Sequence, residues 1–183
     1  MILIIDDFYR NPDEVREMAL SLKFDVKGNY PGARTECISD GGWRLYIKEY
    51  LESLINKKIT NFPYEYNTSF QFTTKDSKTW VHHDALSYAA VVYLTPNPEK
   101  DSGTAIFRHK KTGIMKHYEG AEDFNNQVTK EEDWEMVVEA KNVYNRIVIY
   151  DSMYYHRSVV PGFGSTKHDG RLFQTFFFDT QES

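Results

Sequence analysis

Trp80-Val81-His82-His83-Asp84 and, three residues on, Tyr88-Ala89-Ala90-Val91-Val92-Tyr93-Leu94-Thr95 form the stretch that decides the fold. The second run is short, apolar and rich in β-branched and aromatic residues, and Pro96 and Pro98 stop it. That is the pattern of a buried strand rather than a helix. The same texture fills the chain after Pro63. It predicts strands over 64–74, 79–83, 88–95, 104–109, 136–140, 146–151, 156–160 and 172–178. Ser102-Gly103 and the loop between Pro161 and Gly170 supply breaks between them. Around eight short strands with turns between them predict a mainly β sandwich, jelly roll or barrel.

Upstream of Pro63 the period changes from two to 3.6. Asn11 suits an N-cap, Pro12 the first helical position, and Asp13 and Glu14 the first turn. Val15, Met18, Ala19 and Leu22 then share one helical face. Ile47, Tyr50, Leu51, Leu54 and Ile55 do the same in a second helix predicted over 44–58. Residues 1–63 are therefore read as a helical N-terminal support region, and 64–179 as the β core of a single domain. Thr129 and Glu132 suggest a capping box opening a short helix in an acidic, poorly periodic stretch.

Composition narrows the function. The chain has 183 residues, a net charge of −5 and one cysteine, Cys37. One thiol excludes a disulfide framework and a multi-cysteine zinc or iron–sulfur site. The acidic balance argues against a nucleic-acid wrapper. No apolar run approaches a membrane span. Met1–Ile5 is too short for a signal peptide and is followed by Asp6 and Asp7. A soluble, cytoplasmic protein is expected.

In a strand, residues i and i+2 face the same way. His82 and Asp84 would then aim an imidazole and a carboxylate at one point, with His83 facing away. His156, following the apolar run 146–150, is the natural third ligand. Two histidines and one carboxylate leave open positions on a metal, the donor set of non-haem Fe(II) oxygenases. A His-x-Asp triplet alone is weak. His109, His117 and His168 lie in polar or loop contexts and read as solvated, and His83 as a supporting or surface group. Arg171 adds weight. It opens an apolar strand, where a guanidinium either meets solvent or awaits an anion.

His82-x-Asp84, His156 and Arg171 fifteen residues later together resemble the Fe(II)/2-oxoglutarate-dependent dioxygenases, most of all their prolyl-4-hydroxylase-like branch. Three further pieces match: Val91–Thr95, Ser102–Phe107, and Asn145–Ser152 leading to His156. A Tyr-Pro-Gly-x-Arg stretch, Tyr30–Arg34, resembles a small set from phage and marine bacteria. The resemblance covers residues 64–179, with a weaker match at the N-terminus. It implies a double-stranded β-helix, a jelly roll. It also implies Fe(II) as metal and 2-oxoglutarate and O2 as co-substrates, with release of succinate and CO2. By the same alignment Arg171, Tyr93 and Thr175 would meet 2-oxoglutarate. Arg34 is a candidate substrate contact, weighed evenly against a surface loop arginine.

Two departures matter. Relatives that demethylate nucleic acids carry a second arginine six residues after the first, where this chain has Phe177; nucleic acid is therefore disfavoured as substrate. The run Phe176–Phe178 suits a dry wall behind the cofactor, and core packing explains it equally well. Arg108, Lys110, Lys111 and Lys116 form a basic cluster, read as a charged hairpin end. Substrates left open are a small molecule or a protein or peptide. Two other functions stay open: a cupin-type zinc or manganese hydrolase or isomerase on the same three ligands, and a non-catalytic jelly-roll binding module.

Overall fold

The computed structural model of the protein describes residues 2–126 and 130–181. Ten strands and two α-helices follow in the order β1 (Ile2–Ile5), α1 (Pro12–Ser21), β2 (Ala33–Arg34), α2 (Gly41–Ile55), β3 (Ile59–Asn61), β4 (Phe70–Thr73), β5 (Tyr88–Tyr93), β6 (Thr104–His109), β7 (Trp134–Ala140), β8 (Ile147–Asp151), β9 (His156–Ser158) and β10 (Arg171–Thr180). Among the described residues they form two antiparallel sheets. The larger runs β1-β8-β5-β10-β4-β2, with β3 also paired to β10; the smaller runs β7-β6-β9. This is the expected double-stranded β-helix, or jelly roll, with flanking helices.

Alternation along the central strands sorts side chains into two layers, because successive residues face opposite sides of a sheet. Ala90 and Val92 of β5 with Leu94 just after it, Ile147 and Ile149 of β8, and Leu172, Phe176 and Phe178 of β10 face the helices. There they bury Ala19 of α1 and Ile47, Leu51 and Ile55 of α2. Ala89, Val91, Tyr93, Val148, Tyr150 and Phe173 face the smaller sheet. The aromatic run is thereby split. Phe176 and Phe178 are core, and only Phe177 lines the space between the sheets.

Several expectations change. Segment 79–83 is not a strand: only His82 makes a bridge, to His156. Residues 64–66 form a 3-10 turn, so the strand expected over 64–74 shrinks to β4. The helix expected over 44–58 starts at Gly41 instead. Asp40 caps it, its Oδ1 accepting from Trp43 N at 2.6 Å, and left-handed Asn56 (φ 52°) ends it. Asn11 precedes α1 as expected, but its side-chain amide donates to Glu14 and makes no cap bond. Thr129 lies outside the described residues. Finally, the N-terminal region is more than helical support, since β1, β2 and β3 pair with β8, β4 and β10.

Candidate active site

Between the sheets lies a cavity of about 700 Å³. Its inner wall holds His82, Asp84, His156, Arg171, Thr73 and Thr175. The two histidines come from opposite sides of one antiparallel bridge: His82 N donates to His156 O at 3.0 Å, and His156 N to His82 O at 2.7 Å. Asp84 N is tied to Ser152 O at 2.9 Å. These three backbone bonds do what the expected strand would have done. They turn both imidazoles and the carboxylate to one point.

The donor atoms converge. Asp84 Oδ2 stands 3.3 Å from His156 Nε2, and its Oδ1 3.8 Å from His82 Nε2. Each Nδ1 is spent on a backbone carbonyl, His82 on Trp80 O at 2.9 Å and His156 on Tyr154 O at 2.8 Å. A carbonyl only accepts, so both Nδ1 atoms carry the proton and both Nε2 lone pairs are free for a metal. Burial first, then neighbouring His156, push the His82 imidazole down to about 4, so it is neutral at pH 7. Burial pushes the Asp84 carboxyl up, yet the surrounding imidazoles, His156 first and then His82 and His83, outweigh it and hold Asp84 below its usual value. Two imidazoles and a carboxylate, with ligand atoms within 4.8 Å of one another, can hold a divalent metal ion. Tyr150 packs its ring edge-to-face on His156 at 4.8 Å and fixes the imidazole plane.

Arg171 is 3% exposed. Its Nε donates to Ser102 O at 2.8 Å, and its guanidinium carbon lies 4.5 Å from the Phe173 ring centre and 5.3 Å from that of Tyr93. Among the described residues no carboxylate pairs with it. Gly103 next to Ser102 lets β6 pass close to the end of β7, where a Cβ would stand 2.0 Å from Ala140 O. Tyr93 is fully buried and donates its hydroxyl to Thr104 Oγ1 at 2.8 Å, so it backs the arginine rather than pointing a free proton at the cavity. Thr175 faces the cavity, and its Oγ1 is buried with no partner. Thr73 Oγ1 is in the same state. Thr73 was not foreseen; Gln71-x-Thr73 alternating on a predicted strand was the available signal.

Arg34 is not on a surface loop. It sits on β2 at the outer part of the cavity, donating to Gln71 Oε1 at 2.6 and 3.0 Å under the Tyr30 ring, 3.9 Å away. The basic cluster is a charged hairpin end as expected: Arg108 pairs with Glu135 at 3.2 Å, Lys116 with Asp151 at 2.6 Å, and Lys110 donates to Glu132 O. Two histidine readings are corrected. His109 is buried against Phe124 and Trp134, because the β6–β7 hairpin folds over it. His117 stacks on His83 beside Asp123.

The fold is similar to those of solved proteins. One is a prolyl hydroxylase from Trichoplax adhaerens in complex with a hypoxia inducible factor peptide (14% identity, TM-score 0.55, 97% of this chain and 83% of that one). Another is HygX from Streptomyces hygroscopicus with nickel and 2-oxoglutarate bound (13%, 0.58, 97% and 82%). A third is the α-ketoglutarate dependent epimerase SnoN from nogalamycin biosynthesis (14%, 0.60, 97% and 77%). No curated protein matches the sequence. Residues 1–178 match the model of DUF6445, a family of unknown function, and the chain belongs to that family.

Proposed function

We propose that this chain is an Fe(II)- and 2-oxoglutarate-dependent oxygenase of the prolyl-4-hydroxylase-like branch that hydroxylates an unactivated C–H bond. The observation that carries this is Arg171. A buried guanidinium without a carboxylate partner among the described residues opens into the same cavity as a convergent His-Asp-His set. A buried unpaired charge is costly, so the site suits a ligand that brings the missing anion. The likeness to HygX with nickel and 2-oxoglutarate, and to a prolyl hydroxylase, supports the reading.

In it, His82 Nε2, His156 Nε2 and one Asp84 oxygen hold the iron. When bound, the iron with 2-oxoglutarate supplies oxidation by O2, releasing succinate and CO2. Arg171 grips the far carboxylate of 2-oxoglutarate through the guanidinium nitrogens that Ser102 leaves free. Thr175, and Thr73 beside it, donate their unpartnered hydroxyls to the same end. Tyr93 orients Arg171. Phe173, Tyr150 and Phe177 keep that pocket apolar, which strengthens each charge contact. Arg34, unpaired with any carboxylate among the described residues, receives an anionic group of the substrate. The substrate is a small molecule or a peptide. A zinc or manganese hydrolase on the same ligands would leave Arg171 without a task.

Protein loaded anaerobically with Fe(II) is expected to bind 2-oxoglutarate and develop a weak visible charge-transfer band. Exposure to O2 is then expected to yield succinate. Intact metal with no 2-oxoglutarate binding would overturn the reading. Because SnoN is an epimerase, product analysis includes stereochemical inversion as well as hydroxylation.

A further inference from the structure

His83 borders the cavity, and its ring nitrogens meet two oxygen acceptors. Its Nδ1 lies 3.1 Å from the Asp84 carbonyl oxygen and its Nε2 3.1 Å from Asp123 Oδ1. Parallel to it, 4.2 Å between ring centres and 1° between planes, stands His117, whose buried Nδ1 has no hydrogen-bond partner. A single divalent cation among the three side chains would give the orphaned nitrogen a partner.

We propose that His83, His117 and Asp123 form a second metal site, separate from the His82-Asp84-His156 set, that takes a borderline cation of the zinc type. Two imidazoles and a carboxylate are zinc donors, and their ligand atoms lie within 4.8 Å of one another. Tetrahedral zinc, bonded at about 2.1 Å, needs donors about 3.4 Å apart. One cation cannot lie in the planes of two stacked rings, so binding turns one imidazole out of the stack as the donors close in. A partly exposed Asp123 gives the cation its way in.

The site's role is to pin the segment around Asp123 to the chain that carries the first metal set. Asn125 already clasps His83, accepting from its N at 3.0 Å and donating to its O at 2.8 Å, while Asp123 Oδ1 accepts from Asn125 N. Asn125 also lines the cavity. A cation here would therefore stiffen one part of the cavity wall without touching the substrate.

Equilibrium dialysis against Zn(II) tests this independently of the proposed reaction. Wild type is expected to bind two equivalents, His117→Ala and Asp123→Asn one each, and the double variant His82→Ala/Asp84→Ala one. Zn(II) is also expected to raise the melting temperature of that double variant. No Zn(II) bound by the His82→Ala/Asp84→Ala variant overturns the proposal, leaving His83 a plain contact with Asp123. Two equivalents that persist in both His117→Ala and Asp123→Asn overturn it too, since the second ion then sits elsewhere. Circular dichroism checks folding, and Asp123→Asn carries the test if His117→Ala does not fold.

Discussion

His82 is the residue where charge and geometry are most tightly joined. Its folded value near 4 lies below the ordinary 6.5. Between those values the unfolded chain holds the proton that the folded chain refuses. Stability of the metal-free protein therefore falls as pH drops from about 6.5 to about 4, and this loss levels off below. Urea unfolding at pH 7 and pH 4.5 should show a loss of about 1–3 kcal/mol, and His82→Gln should flatten that slope. His82→Ala or Asp84→Ala should abolish iron retention and turnover together while the fold persists, as metal analysis beside circular dichroism would show. Arg171→Ala should act differently. Loss of a charged hydrogen bond is worth about 1.5–3 kcal/mol, so the KM for 2-oxoglutarate should rise about 10- to 100-fold with iron content unchanged. An unchanged KM would remove Arg171 from co-substrate binding.

Strand β10 shows what alternation settles and what it leaves open. Its pattern announced a buried strand, yet not which of Phe176 and Phe177 faces the cavity. Register with β5, Thr175 opposite Val91 and Phe176 opposite Ala90, assigns them. The two should separate in experiment. Phe176→Ala should cost about 3–5 kcal/mol in denaturant unfolding. Phe177→Ala should cost less and change co-substrate or substrate affinity instead. In α2, Asp40→Ala should cost about 0.5–2 kcal/mol, because Trp43 N loses its cap. Gly41 and Gly42 are poor helix formers, yet the helix starts on them behind this cap. A local hydrogen bond overrode low helix propensity. Segment 79–83 erred in the opposite sense. Its β-forming residues bridge only at His82, since Asp84 is already committed to Ser152.

Across the molecule, the N-terminal region is woven into the larger sheet through β1, β2 and β3. We therefore expect one cooperative unfolding transition. A fragment of residues 64–183 should stay unfolded or aggregate, because it exposes the apolar face that α1 and α2 cover. Calorimetry and gel filtration would check both. The sequence by itself determined the strand-rich core and the two helices and marked His82, Asp84, His156 and Arg171 as candidates, because periodicity and residue chemistry are local properties. Only the tertiary structure decided that His82 and His156 face each other across one bridge and that Arg34 reaches the cavity. It alone also stacked His83 on His117. These pairings join residues far apart in the chain, and their geometry follows from sheet register and packing, which no local pattern encodes.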